Sequence, residues 1–340
     1  MASLVSTWSS NVRSLPKNFV VPLEKRPGKP IPICKDIPVI DLGDSTKHRR
    51  ADIVQQIIKA SQDFGLFQVI NHGVSEKMMI DAITVGKEFF QIPVEEKEKF
   101  CAESGENGCR VYTSSARHMT QDFKYWKDSL VHRCHPLEEY IKIFPDKPAQ
   151  YREIMGPYSV KVRKLGIKIL DLIYEGLGLT EENFDNYDLL LMIHNYPACP
   201  DPSLALGIDG HRDGNLVTIL QQDVYGLQLF KDGQWLGVEP LPYAFVINIA
   251  FALEVISNGK LKSAVHRVIT NSDCSRTSLA NFVNIASDEM IEPAKSLISP
   301  SSPPVFRSFQ FKEYLQVLSR NNSDSEATFQ YFKIGSQDSK

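Results

Sequence analysis

The pattern of apolar residues changes character near residue 188, and that change limits the fold more than any other feature of the chain. Downstream of it the chain breaks into strand-length runs: LLLMIHNY, LVTILQQD, GLQLFKDGQWLGVEP, YAFVINIA, SAVHRVIT and RTSLANFVNI. Asp232-Gly233 and Ser257-Asn258-Gly259 read as tight turns between such runs. Short strands at this spacing predict a β-sandwich or jelly roll, whose open mouth commonly holds a ligand.

Upstream, the period is helical. Residues 49–64 place Ile53, Val54, Ile57, Ile58 and Phe64 on one face, with Gly65 as the stop. LFQVINHG then reads as a strand, Ser75 fits the cap of a helix through Phe90, and Pro93 opens another. Between 149 and 178 a stripe running from Ile154 through Val162 and Ile169 to Ile173 predicts a long helix, punctuated by Gly176 and Gly178.

With 340 residues and 42% hydrophobic content the chain can bury one large core or two modest ones. A net charge of −3 and the lack of a long Lys/Arg block argue against a nucleic-acid footprint or a polybasic membrane patch. A small-molecule partner is expected, and no protein partner is evident. MASLVSTWSSNVRSL lacks the basic start and apolar stretch of a secretory signal, so a cytoplasmic location is expected. The six cysteines form no metal-spaced pattern and are read as free thiols. The longest apolar run, 243–256, is interrupted by Asn248 and Glu254 and is too short to span a bilayer.

GHRDGNLVTIL, residues 210–220, raises the question of chemistry. On a strand, His211 and Asp213 project to the same side. A lone His-x-Asp says little, since most histidines are hydrogen-bonded imidazoles without a metal. His266, in SAVHRVIT, supplies a third donor. Two imidazoles and a carboxylate make the facial triad of non-haem Fe(II) oxygenases, which leaves coordination positions open. Zinc in a hydrolase takes a similar set, and a degenerate site would leave a non-catalytic binding protein.

An oxygenase of this type commonly consumes 2-oxoglutarate, whose distal carboxylate needs an anchor. Arg276 and Ser278 lie on one strand face and offer a guanidinium and a hydroxyl. Either residue alone would pass for a turn arginine or a solvated serine, and a zinc hydrolase gives Arg276 no obvious role. The same face continues through Ala280 to Phe282. HRD at 211–213 and DFG at 63–65 also occur in kinases, but here their order is reversed and the glycine-rich loop is missing.

These segments resemble the plant-type Fe(II)/2-oxoglutarate-dependent dioxygenases. IPVIDLGD (37–44), FGLFQVINHGV (64–74), EFFQIPVEEKEKF (88–100), NYPACPDP (195–202), the run 211–242, SNGKLKSAVHRVITN (257–271) and RTS (276–278) occur in that family's order. YWKD at 125–128 together with HRDGNLVTILQQD is most similar to the hyoscyamine 6β-hydroxylase-like branch, whose namesake oxidises a tropane alkaloid. The resemblance implies His211, Asp213 and His266 as iron ligands, and Arg276, Ser278 and Tyr196 as the 2-oxoglutarate site. It also implies Fe(II), 2-oxoglutarate and O₂ as the reagents, with ascorbate in support. The reaction would be hydroxylation with release of succinate and CO₂. Desaturation, epoxidation, ring closure or demethylation of a flavonoid, phenolic or hormone is the alternative outcome.

Pattern and resemblance together predict an α+β protein: a double-stranded β-helix (jelly-roll) core flanked by helices, with an N-terminal helical and strand region. The expected divisions are an N-terminal dioxygenase region 1–140, a supporting long helix and connection 141–187, the jelly-roll core 188–300, and a C-terminal segment 301–340 closing over the pocket. The chain departs from the family where His194 replaces an Asn, Asn195 replaces a Tyr, and Ala250-Phe251 replaces a Gly-Asp pair.

The substrate pocket is expected to be lined by Phe282, by the segment 111–126 and by FRSFQFKEYL at 306–315. Asp122, flanked by aromatic residues, reads in the ordinary way as a solvated charge beside Lys124. Turned inward it would need a cation, and apart from Lys124 or Lys127 an alkaloid ammonium would serve, with Tyr125 or Trp126 adding cation–π attraction. That reading predicts an amine-bearing substrate.

Overall fold

A computed structural model describes residues 4–28, 31–43, 47–101, 108–114, 123–179 and 186–335. In chain order its strands are β1 (Val39–Asp41), β2 (Leu66–Ile70), β3 (Cys109–Thr113), β4 (Asp128–Arg133), β5 (Asp188–Tyr196), β6 (Leu206–His211) and β7 (Val217–Gln222). They continue as β8 (Leu227–Lys231), β9 (Gln234–Gly237), β10 (Phe245–Ile249), β11 (His266–Ile269), β12 (Arg276–Asn284), β13 (Met290–Ile291) and β14 (Phe309–Gln310). Eight form one sheet in the order β1-β2-β10-β7-β12-β5-β4-β3, and four form a second in the order β6-β11-β8-β9. This is the jelly roll expected from the sequence. Asp232 and Gly233, at φ of 51° and 79°, make the β8–β9 hairpin.

Helices cover the outer face of the larger sheet. Lys47–Asp63 and Glu76–Gln91 pack against the long helix Tyr151–Leu177. Ser75 caps the second of these by accepting from the Met78 amide. The long helix ends at Gly178, whose φ of 68° gives the left-handed cap. Gly176 has a different part from the stop expected of it. It lies inside the helix, where a Cβ would come within 2.4 Å of Ile58, so it lets two helices approach. No helix among the described residues is long and apolar enough to cross a membrane.

YAFVINIA is strand only as far as Ile249. Phe251–Ile256 is a short buried helix, and Phe251 lies at the centre of an aromatic cluster. Its ring centroid is 5.4–6.0 Å from those of Phe306, Phe309, Tyr314, Phe329 and Phe332. The apolar Ala250-Phe251 pair therefore anchors the C-terminal helices Phe311–Arg320 and Ser325–Phe332. Gly214 lets them come close to the His211–Asp213 loop, since a Cβ there would meet Tyr314 at 2.2 Å.

Candidate active site

The antiparallel register of β11 on β6 sets His266 beside His211, with ring centroids 4.2 Å apart. Asp213 is not on the strand as expected. β6 ends at His211, and the next two residues turn into the connection to β7. The loop is tied back by the Phe251 amide, which donates to the Asp213 carbonyl at 2.8 Å. The carboxylate still faces both imidazoles: Asp213 Oδ1 is 3.6 Å from His211 Nε2 and 3.8 Å from His266 Nε2. One donor atom from each residue lies within 4.8 Å of the others.

Hydrogen bonds fix which nitrogens point inward. His211 Nδ1 is 2.9 Å from the Asp209 carbonyl and His266 Nδ1 is 3.0 Å from the Ala264 carbonyl. Each ring therefore donates from Nδ1 and presents the Nε2 lone pair to the cluster, the arrangement a metal ligand needs. Burial, and then His266, push His211 down to about 4, so its imidazole is neutral. Burial pushes the Asp213 carboxyl up, but His266 and His211, with hydrogen bonds from Thr218 and Asn248, hold it below the usual range.

The neighbouring side chains line an inner cavity between the sheets. Arg276 is 2% exposed, and its guanidinium is aimed by the Val224 carbonyl at 3.1 Å, Ser278 Oγ at 3.3 Å and Gln222 Oε1 at 2.9 Å. No carboxylate pairs with it among the described residues. It lies 5.1 Å over the Tyr196 ring, because Arg276 pairs with Tyr196 in the β12–β5 register. The Tyr196 hydroxyl lies beside Ser278 and Arg276 without a full hydrogen bond to either, and burial pushes it up to about 12. Gln222 Nε2 and Asn248 Oδ1 are likewise buried without partners. His194 bonds Ser129 Oγ through Nδ1 at 2.8 Å, and burial keeps it neutral. Phe282 lines this inner cavity.

An outer chamber of about 800 Å³ opens in front of His211. Its walls are Tyr112, Phe123 and Tyr125 on one side and the 318–325 turn on the other. One expectation changes here. The stretch 306–315 is packing in the cluster around Phe251, whereas the rim comes from the residues after it; Phe282 lines the inner cavity and not this chamber. Asp122 lies outside the described residues. Lys127, Gln222 and Asn248 were not picked out as site residues from the sequence. For Lys127 the only signal was YWKD, where it looks like one more surface lysine.

The fold and the donor set define a class, a non-haem Fe(II) oxygenase whose metal keeps positions open for co-substrates. Comparison with known proteins narrows it. Residues 187–285 match the model of the 2OG-Fe(II) oxygenase superfamily, and residues 37–158 match that of the non-haem dioxygenase in morphine synthesis N-terminal region. The chain is 43% identical to hyoscyamine 6-dioxygenase of Hyoscyamus niger, covering 98% of this chain and 99% of that one. It is 36% identical to flavanone 3-dioxygenase 2 of Oryza sativa subsp. japonica, over 94% of each. The crystal structure of JOX2 in complex with 2OG, Fe and JA superposes with a TM-score of 0.81 at 33% identity, over 93% of each chain. The protein belongs to the 2OG-Fe(II) oxygenase superfamily. It is a 2-oxoglutarate-dependent dioxygenase using Fe(II), 2-oxoglutarate and O₂, which decides against the zinc hydrolase and the binding protein.

Proposed function

We propose that this dioxygenase hydroxylates a C–H bond of a small specialised metabolite, with Fe(II) on His211, Asp213 and His266 and the distal carboxylate of 2-oxoglutarate on Arg276, Ser278 and Tyr196. One observation carries the reading: a buried guanidinium without a carboxylate partner among the described residues faces the same cavity as the three metal donors. A buried charge of that kind needs a counter-ion. The orphaned Tyr196 hydroxyl and Gln222 amide suit an oxygen-rich guest, and two neutral imidazoles with one carboxylate suit a divalent cation.

When bound, the iron and its co-substrate supply the oxidising power, converting 2-oxoglutarate and O₂ to succinate and CO₂ as the C–H bond becomes C–OH. The chain contributes position. Val224, Gln222 and Ser278 hold the Arg276 guanidinium still, so a carboxylate can be met bidentately without rearrangement. The Asp209 and Ala264 carbonyls hold both imidazoles. Leu220, Leu227 and Val268 give the inner cavity apolar walls. The outer chamber orients the metabolite, with the turn 318–325 at its rim.

Succinate release that requires both iron and 2-oxoglutarate tests the reading. It should be followed by incubation of a metabolite panel with iron, ascorbate and 2-oxoglutarate, looking for a mass gain of one oxygen. Succinate formation without added iron would sink it. A panel product two hydrogens lighter would move the outcome to desaturation or ring closure.

A further inference from the structure

Two lysines are buried among the described residues, and they differ. Lys97 donates to the Phe90 carbonyl at 2.7 Å. Lys127, 6% exposed, has no acceptor for its ammonium among the described residues. Its backbone is fixed at the entry to β4: its amide donates to the Tyr125 carbonyl at 2.9 Å, and its carbonyl accepts from the Ser114 amide at 2.8 Å. Alternation does the rest. Asp128 turns to the opposite face and takes the Val5 and Ser6 amides, which leaves Lys127 on the side of Ser129, whose hydroxyl meets His194.

Lys127 thus lines the outer chamber beside His211, and its charge is felt at both His194 and His211. The carboxylates of the rim do not answer it. Asp209 holds Lys25, Asp324 accepts from the Ala327 amide at 2.9 Å, and Glu24 is at the exposed edge. The chamber also carries Tyr112, Phe123 and Tyr125, with Lys25 Nζ 5.5 Å over the Phe123 ring and Arg110 5.5 Å over the Tyr112 ring. Burial pushes Lys127 down to about 7, the direction that a counter-anion reverses.

We propose that Lys127 is the substrate-recognition residue of this oxygenase, and that the substrate carries an anionic oxygen, a carboxylate or ionised phenol, on an aromatic or otherwise apolar frame. The proposal rests on the oxygenase reading above. A buried ammonium with no acceptor among the described residues is an incomplete ion pair, and an anionic oxygen placed there completes it and orients the rest of the molecule toward His211. An amine-bearing substrate would bring a second cation to the same place. The carboxylate on which the amine expectation rested, Asp122, is outside the described residues, whereas the charged group of the described lining that has no partner among them, Lys127, has the opposite sign.

The test is calorimetric binding to the full chain loaded with Fe(II) and 2-oxoglutarate without oxygen. The probes are 4-hydroxycinnamate and 2-naphthoate, each against its methyl ester, with tyramine as the amine. Each acid should bind at least about tenfold tighter than its ester. Lys127→Met should erase that difference, and Lys127→Arg should keep it. Because methionine removes a buried unpaired charge at similar volume, Lys127→Met should melt no lower than the parent. Equal binding of acid and ester, no binding of either acid, best binding of tyramine, or a preference that survives Lys127→Met would each overturn the proposal. So would a clear loss of melting temperature in Lys127→Met, which would make the lysine structural. Iron- and 2-oxoglutarate-dependent succinate release by the unaltered enzyme reports on the oxygenase reading alone, so the two failures are told apart.

Discussion

The inner cavity and the outer chamber touch at His211 but are built on different plans. The inner one takes its walls, apart from Asp213 on its loop, from paired strands of residues 194–282, and its key side chains are held by carbonyls or hydroxyls at 2.8–3.3 Å. The outer one is gathered from residues 22–25, 110–112, 123–127, 208–212 and 318–325, most of them in loops and helix ends. Strand register fixes the first and loop packing fixes the second. The lesson is a division of labour: the part proposed to handle iron and 2-oxoglutarate is tied by paired strands and hydrogen bonds, while the part proposed to meet the metabolite can change without disturbing it.

Substitutions that touch one region and spare the other test that division. The largest effect is expected from Asp213→Ala, which removes the only anionic metal donor. Turnover should fall by more than about a hundredfold, with iron content well below one per chain by metal analysis. Retention of both would break the comparison at its inner end. Phe251→Ala should cost about 3–5 kcal/mol of stability in denaturant melts, by emptying the centre of the C-terminal aromatic cluster. In the folded fraction it should raise KM for the metabolite more than KM for 2-oxoglutarate. Equal rises would show that the two regions are not separable.

Arg276→Ala should weaken 2-oxoglutarate by about 2–5 kcal/mol with iron content unchanged, because the carboxylate loses its charged partner. Titration of 2-oxoglutarate into the iron-loaded chain would measure it, and an unchanged affinity would place the anchor elsewhere. The smallest effect belongs to Asp324→Ala. It deletes the cap of Ser325–Phe332 at the rim, for about 1 kcal/mol of stability and a modest rise in the metabolite's KM alone.

Much of the inner cavity was legible in the chain. His211, His266, Arg276 and Ser278 lie on runs whose strand period shows in the residue types, and the structure brings them to one place. Asp213 was picked out for an incomplete reason. Alternation along a strand was the argument, yet the strand stops at His211, and a loop bonded to Phe251 delivers the carboxylate. The C-terminal rim was misplaced by a few residues. Aromatic spacing in 306–315 reads the same whether the rings face a ligand or one another, and here they face Phe251.

By itself the sequence determined the jelly roll and the residue types of the site, because strand period, turn residues and donor chemistry are local properties written at fixed offsets. Only the tertiary structure decided that Lys127 is buried with no acceptor among the described residues, and which carboxylates near it are already engaged. Lys127 and Lys124 stand three residues apart in one short motif, yet Lys127 is buried and Lys124 only half-buried. Burial and partnership depend on segments distant in the chain, such as 22–25 and 318–325 around this chamber, and no local pattern records how those segments meet.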